Sequence, residues 1–174
     1  MSKTIIIGII FLFIIGFGYI FFSNKDEKSR SLVSEKNFQQ PSLTSAQNLP
    51  VDMQASFVIF TNGTFRVFTA PMYHNLSPDV YIAADNPNII KVKKVNITWN
   101  DFFKTLPFKL TSECLTTGTK ETFCTGTQGT LKFYLNGKRN NNALDQEIKM
   151  GDRLLVTYGN ESDIAIKQQI NKVP

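Results

Sequence analysis

Hydrophobic and polar positions divide the chain into three regimes. From Ile5 to Phe22 no charged residue interrupts an apolar run. Its roughly 18 residues would cover roughly 27 Å as a helix, close to the hydrocarbon thickness of a bilayer. An all-round apolar helix is either core or membrane, and a core helix of a soluble domain carries polar residues on one flank, which this run lacks. It therefore predicts a transmembrane anchor over residues 1–22. A cleaved signal peptide is the competing reading, but its apolar stretch is shorter and ends at a small-x-small site. Here the run ends Tyr19-Ile20-Phe21-Phe22-Ser23, and no lipobox cysteine follows. From Ser23 to Gln54 the pattern loses all periodicity and reads as a polar tether over 23–54, with an r.m.s. span of about 30 Å as a flexible coil.

From Ala55 the pattern becomes that of strands. Ser56-Phe57-Val58-Ile59-Phe60 and Thr64-Phe65-Arg66-Val67-Phe68 flank Asn62-Gly63, a strong two-residue hairpin signal because both turn positions require positive φ. Pairing across that turn puts Val58 opposite Val67 and Phe60 opposite Phe65. Phe57, Ile59 and Phe68 load the other face, and a sheet apolar on both faces has something packed on each. A short strand over Asp79 to Ala83 and a turn at Asp85-Asn86-Pro87-Asn88 follow. Ile89 to Val95 then alternates, with Ile90 and Val92 on one side and a basic face, Lys91 and Lys93, on the other. Lysines so placed predict a guarded sheet edge.

One segment switches to helical spacing. Thr98 and Asp101 form a capping-box pattern, and Trp99, Phe102, Phe103 and Leu106 fall on one face before Pro107 stops the helix. This stripe is expected to cover the sheet. Thr130 to Leu135 alternates, Asn136-Gly137 turns, and Arg153 to Tyr158 forms a last strand after Gly151-Asp152. In the tail, 161–174, Ile166, Ile170 and Val173 share a helical face, although Ile164-x-Ile166 also fits a strand. The expected fold class is α+β: an N-terminal transmembrane helix plus one mainly-β domain, 55–160, with a short amphipathic helix on its sheet.

Cys114 and Cys124 enclose nine residues, a spacing unlike the C-x-x-C of redox enzymes, and a chain with one histidine cannot complete a four-ligand zinc site from them. Two readings remain, a structural disulfide closing a hairpin-like loop or two buried free thiols. The disulfide requires an oxidising compartment. Basic residues flank the apolar run on both sides and lean the positive-inside count the other way, so it is the cysteine pair that favours a C-terminal domain outside the cytoplasm, at the cell membrane.

Net charge is +5, but its basic residues are spread along the chain without the basic stripe and exposed aromatics of a nucleic-acid surface. His74, between Pro71 and Pro78, reads as a loop residue and is the one weak candidate metal ligand. Asn62, Asn96 and Asn160 head glycosylation acceptor triplets; Asn75 heads a poorer one, close before Pro78. No paired carboxylates, nucleophile-base pair or phosphate loop occurs at usable spacing, so neither catalysis nor a cofactor is expected.

The phrase strand, Asn136-Gly137, about ten residues, Gly151-Asp152, strand is similar to the closing half of β-grasp domains, the ubiquitin-like and sulfur-carrier group. Sulfur carriers end in Gly-Gly, whereas this chain ends Asn171-Lys172-Val173-Pro174, so a carrier role is not implied. The segment from Ala55 onward also resembles a group of small, N-terminally anchored extracytoplasmic proteins of archaea and uncultivated bacterial lineages. That resemblance rests on Pro87-Asn88-Ile89-Ile90, on Ile97-Thr98-Trp99-Asn100-Asp101-Phe102-Phe103-Lys104-Thr105-Leu106, on the cysteine pair, on Leu131 to Gly137 and on Gly151 to Gly159. Many members carry His-x-His where this chain has Lys91-Val92-Lys93, which would suit a copper-type site. An ammonium group is no ligand at neutral pH, so the metal role is not carried over. The resemblance implies an anchored, extracytoplasmic domain; the absence of a catalytic constellation, beside a tether and a sheet apolar on both faces, points to an interaction or accessory domain with a protein partner and lipid contact through Ile5 to Phe22. The alternative is a metal-handling or thiol-redox protein that has lost its relatives' histidines.

Overall fold

A computed structural model describes residues 50–174 of the chain. The apolar run Ile5 to Phe22 and most of the expected tether lie outside the described residues. Among the described residues no helix is long and apolar enough to cross a membrane.

The fold is a mixed α+β domain, mostly sheet with two short helices. Its axis is β1, Pro50–Thr61, a 12-residue strand. Asn62 and Gly63, at φ 49° and 75°, turn it into β2, Thr64–Arg66. Phe60 stands opposite Phe65 as the turn chemistry requires. The expected pairing of Val58 with Val67 does not form, because β2 ends at Arg66 and Val67 lies exposed beyond it. A 3-10 turn at Pro71–Tyr73 leads to β3, Val80–Ile82, and β4, Ile89–Lys94. Helix α1 spans Trp99–Thr105. Three short strands follow, β5 at Lys109–Leu110, β6 at Cys114–Thr116 and β7 at Thr122–Cys124. Then come β8, Thr130–Leu135, β9, Lys138–Arg139, β10, Arg153–Gly159, and helix α2, Asp163–Ile170.

The main sheet runs β3-β4-β1-β10-β8-β9, with β2 also on β1; the second sheet is β5-β6-β7. The central pair, β1 and β10, is parallel from Ser56 opposite Arg153 to Thr61 opposite Tyr158. All other strand pairs are antiparallel. On its other side β1 pairs with β4 through Pro50–Ser56 and with β2 through Ile59–Thr61. Asn88 bridges that change of partner: its carbonyl accepts from Phe57 N–H at 3.0 Å, and its side-chain amide donates to Phe57 O at 3.0 Å.

Two expectations are corrected here. Pro50–Gln54, assigned to the tether, are strand, because Met53 lies opposite Val92 and Gln54 opposite Lys91. Lys91 and Lys93 guard no edge: β4 lies inside the sheet, between β3 and β1. Their face is polar because local carboxylates answer it, Lys93 Nζ meeting Asp52 Oδ1 at 2.8 Å. Lys94 Nζ likewise lies 3.6 Å from Asp79 Oδ2.

Both faces of β1 are covered. Phe57 and Ile59 join Ile90, Val92, Trp99, Phe102, Phe103, Leu106, Phe133, Leu154 and Val156 in the larger core, beneath α1. The helix starts where its sequence directs: Thr98 Oγ1 accepts from Asp101 N–H at 3.1 Å and Asp101 Oδ2 accepts from Thr98 N–H at 3.0 Å. Burial disfavours the Asp101 carboxylate, but those bonds and nearby Lys104 outweigh it and hold its pKa below the usual range. On the opposite face Val58, Phe60 and Leu155 pack with Ile166 and Val173, so the tail is a helix that closes a second core. Arg153 straps it down through Ile170 O, Val173 O and Pro174 O, while Ser56 Oγ donates to Pro174 O at 2.8 Å.

A buried ion pair joins β8 to the chain after β10. Lys132 Nζ lies 3.0 Å from Glu161 Oε2 and 2.9 Å from Gly159 O, with both side chains about nine-tenths buried. A Cβ on Gly159 would fall 2.5 Å from Glu161 Oε1, and φ there is +146°, so only glycine leaves room for the carboxylate. Burial opposes the charge on Glu161, but the backbone amides of Glu161 and Gly63 together with Lys132 overcome it. Its pKa therefore lies below the ordinary glutamate value.

Phe102→Ala is expected to cost about 3 to 5 kcal/mol in denaturant unfolding, whereas Ile164→Ala, at a side chain 71 % exposed, should change stability by less than about 0.5 kcal/mol. Because the folded pKa of Glu161 is depressed, its pair stabilises fully above the ordinary glutamate range and loses that contribution as pH falls through the lowered value. Glu161→Gln should cost about 3 kcal/mol at neutral pH and flatten the acid limb of the stability profile. The pair Lys132→Met with Glu161→Met should recover most of that loss.

Candidate functional site

The element after β2 cannot continue as strand. Phe68 turns inward onto Phe57, with ring centroids 5.1 Å apart, and Pro71 begins the 3-10 turn that brings Tyr73 edge-on to Phe68 at 5.2 Å. His74 Nε2 lies 2.8 Å from Phe68 O. A carbonyl can only accept, so this nitrogen carries the proton and is occupied in closing the turn. Among the described residues no group of three or more His, Cys, Asp or Glu side chains is placed to hold a metal ion.

Across from this turn stands the small sheet. Cys114 and Cys124 lie directly opposite each other in β6 and β7, with Cα atoms 4.1 Å apart, and are joined as a disulfide; neither is free. The bridge fixes a hairpin too short to hold itself by hydrogen bonds alone. Leu115 and Phe123 are its buried side chains, and Phe123 rests against Tyr158 of β10 at 5.2 Å. Arg66 ties the hairpin to β2: its Nε donates to Thr61 Oγ1, its guanidinium lies 5.5 Å over the Phe123 ring, and its Nη2 is 3.6 Å from Glu121 Oε2. At the hairpin tip, a Cβ on Gly118 would be 3.4 Å from Pro107 O, so the tip lies close against the chain leaving α1.

Between β2, the 3-10 turn and this hairpin lies a groove of about 390 Å³. Ile59, Phe68, Tyr73, Phe108 and Leu115 contribute to its apolar lining, and Arg66, Thr117 and Thr119 contribute polar atoms. Its rim is hydrophobic and open: Val67 is 62 % and Met72 53 % exposed. Large apolar side chains concentrated beside a concave surface mark a contact site more often than scattered ones do.

The structure draws only part of the sequence-derived residue set toward this groove. The cysteine pair sits in its hairpin wall, and His74 closes the adjoining turn without lining it. Trp99, Phe102, Phe103 and Leu106 are buried core beneath α1. Lys91 and Lys93 lie on the opposite face of the sheet. Asn62, Asn96 and Asn160 are exposed; Asn62 and Asn96 occupy turns at φ 49° and 61°, and Asn160 Nδ2 donates to Gln128 O at 3.3 Å. The groove itself was not anticipated. Its one local signal is the run Phe65 to Phe68 with Pro71-Met72-Tyr73, more apolar than a connection needs.

Replacing both cysteines by serine is expected to lower stability by about 2 to 3 kcal/mol in denaturant unfolding, with amide exchange rising first across residues 114–124. Val67→Asp should leave stability within about 0.5 kcal/mol of the parent chain, which makes it a clean probe of the groove.

Comparison with protein-family models, with curated proteins and with solved structures finds no match for this chain.

Proposed function

We propose that this chain is a single-pass anchored interaction domain displayed outside the cytoplasm, an accessory, non-catalytic subunit of a membrane or cell-envelope assembly. The observation that carries the reading is the open apolar groove with its exposed Val67 and Met72 rim. A side chain left in water at such a rim gains by transfer to a partner's surface, at about 25 cal/mol per Å² of apolar area covered. The paired cysteines support an oxidising compartment, and the run Ile5 to Phe22 supports the anchor.

We read the sheet as β-grasp-like. The order β4-β1-β10-β8-β9, the central parallel pair of first and last strands, and α1 crossing between β4 and β8 support that arrangement. In this reading β2, β3 and the disulfide hairpin are additions, and β2 and the hairpin form two walls of the groove.

Purification of the tagged full-length chain from its own membranes in mild detergent, at native abundance, tests the proposal. A stoichiometric membrane-protein partner is expected, and Val67→Asp with Met72→Asp should reduce its recovery at least about tenfold, as loss of a contact worth 1.4 kcal/mol or more would. A chain that runs as a lone monomer overturns the reading.

The exposed Cys124 end of the disulfide favours a second reading, thiol-disulfide exchange. Titration of thiols in the purified chain before and after incubation with a dithiol decides it: rapid reversible cycling supports exchange, and resistance to reduction in the folded state rejects it.

A further inference from the structure

The groove borders an unfinished strand edge. In an antiparallel pair joined by a two-residue turn, the flanking residues exchange both backbone bonds and the alternation continues from there. Thr61 with Thr64 and Ile59 with Arg66 are therefore the bonded pairs, and Phe65, opposite Phe60, directs its N–H and C=O away from β1. Among the described residues β2 has no strand on that outer side. A backbone donor and acceptor thus stand beside an apolar trough.

Charge narrows the occupant further. Arg66 and Glu121 answer each other at 3.6 Å. Lys120 follows Thr119 of the lining at the hairpin tip; it is exposed and has no acidic partner within 4.0 Å among the described residues. The hairpin tip beside the groove therefore carries one uncompensated positive charge.

Resting on the interaction-domain reading, we propose that the groove takes an extended, acid-flanked polypeptide segment of a partner protein, added as a strand to the outer edge of β2. Backbone bonds to Phe65 supply the register, alternate apolar side chains enter the trough over Phe68, Tyr73 and Leu115, and a flanking Asp or Glu residue meets Lys120. An acyl chain would fill the same apolar space but leave the Phe65 donor and acceptor unanswered, which sets the polypeptide apart from lipid.

The experiment uses the full-length chain in its native membranes with a benzophenone side chain at position 67 and, as control, at position 164 on α2. Irradiation is expected to join position 67, and not position 164, to one contiguous segment of one polypeptide, with alternating apolar residues and an acidic flank. A synthetic copy of that segment should slow exchange of the Phe65 amide about tenfold, and N-methylation of its alternate amides should weaken binding by about tenfold, the weight of one or two backbone hydrogen bonds. Lipid adducts, adducts to a second copy of this chain, no adduct above the control, or a segment indifferent to N-methylation each overturn the proposal. A partner recovered in detergent but not joined at position 67 rejects this occupant while leaving the interaction-domain reading standing.

Discussion

One strand is buried on both faces, and the remaining elements are placed by what that demands. β1 presents Phe57 and Ile59 to one side and Val58 and Phe60 to the other, all nearly or fully buried. A strand of this kind is stable only with a layer above and a layer below it. α1 supplies the first layer and α2 the second. The parallel pairing with β10 follows from the same requirement, because Leu154 and Val156 face the α1 side while Leu155 faces the α2 side. Two adjacent strands with this doubled pattern reinforce each other, and the antiparallel strands outside them need only one apolar face. β4 shows the relaxation: Ile90 and Val92 point into the larger core and the lysines point out.

The second layer is incomplete, and its limits explain the polar residues on that face. α2 and the tail beyond it cover Val58, Phe60 and Leu155, and the tail ends over Ser56, where Arg153 holds it. Beyond Ser56 the same face carries Gln54, Asp52, Lys91 and Lys93, of which Lys93 and Asp52 pair with each other. At the other end of the cover, the chain passes from β10 to α2 through Gly159 and Glu161, and Lys132 comes from β8 to meet them. A lysine in a strand that otherwise alternates into core would be costly without a countercharge. Glu161 provides it, and Gly159 provides the space.

Sequence made the local devices legible and the long-range ones only partly so. The Thr98 and Asp101 capping box, the Trp99 to Leu106 stripe and the Asn62-Gly63 turn each depend on residues within a few positions, and each formed as read. The two-sided apolar pattern of Phe57 to Phe60 correctly required cover on both faces. It could not say that β10, a hundred residues away, would lie parallel beside it. Alternation in Ile89 to Val95 identified the inward face of β4 but not its neighbours, so lysines that face water from inside a sheet read as an edge. Pro50 to Gln54 carry too little apolar content to announce a strand; their pairing comes from β4. The groove was least legible of all, because its walls come from three separated segments and its character depends on what their packing leaves open.

That opening is a consequence of how the small sheet is attached. Leu115 and Phe123 anchor the β6-β7 hairpin in the larger core, with Phe123 on Tyr158, and Arg66 adds a contact to Glu121. Arg66 extends across the gap to reach both Thr61 and Glu121 and so ties β2 to the hairpin wall. A shorter apolar residue at position 66 would give up the ion pair and the stacking on Phe123. The disulfide acts on the same wall from the other side: by fixing β6 to β7 it holds Leu115 and Thr117 to Thr119 in a single frame. The groove is thus framed by one long cation and one covalent bridge, and its apolar rim remains exposed.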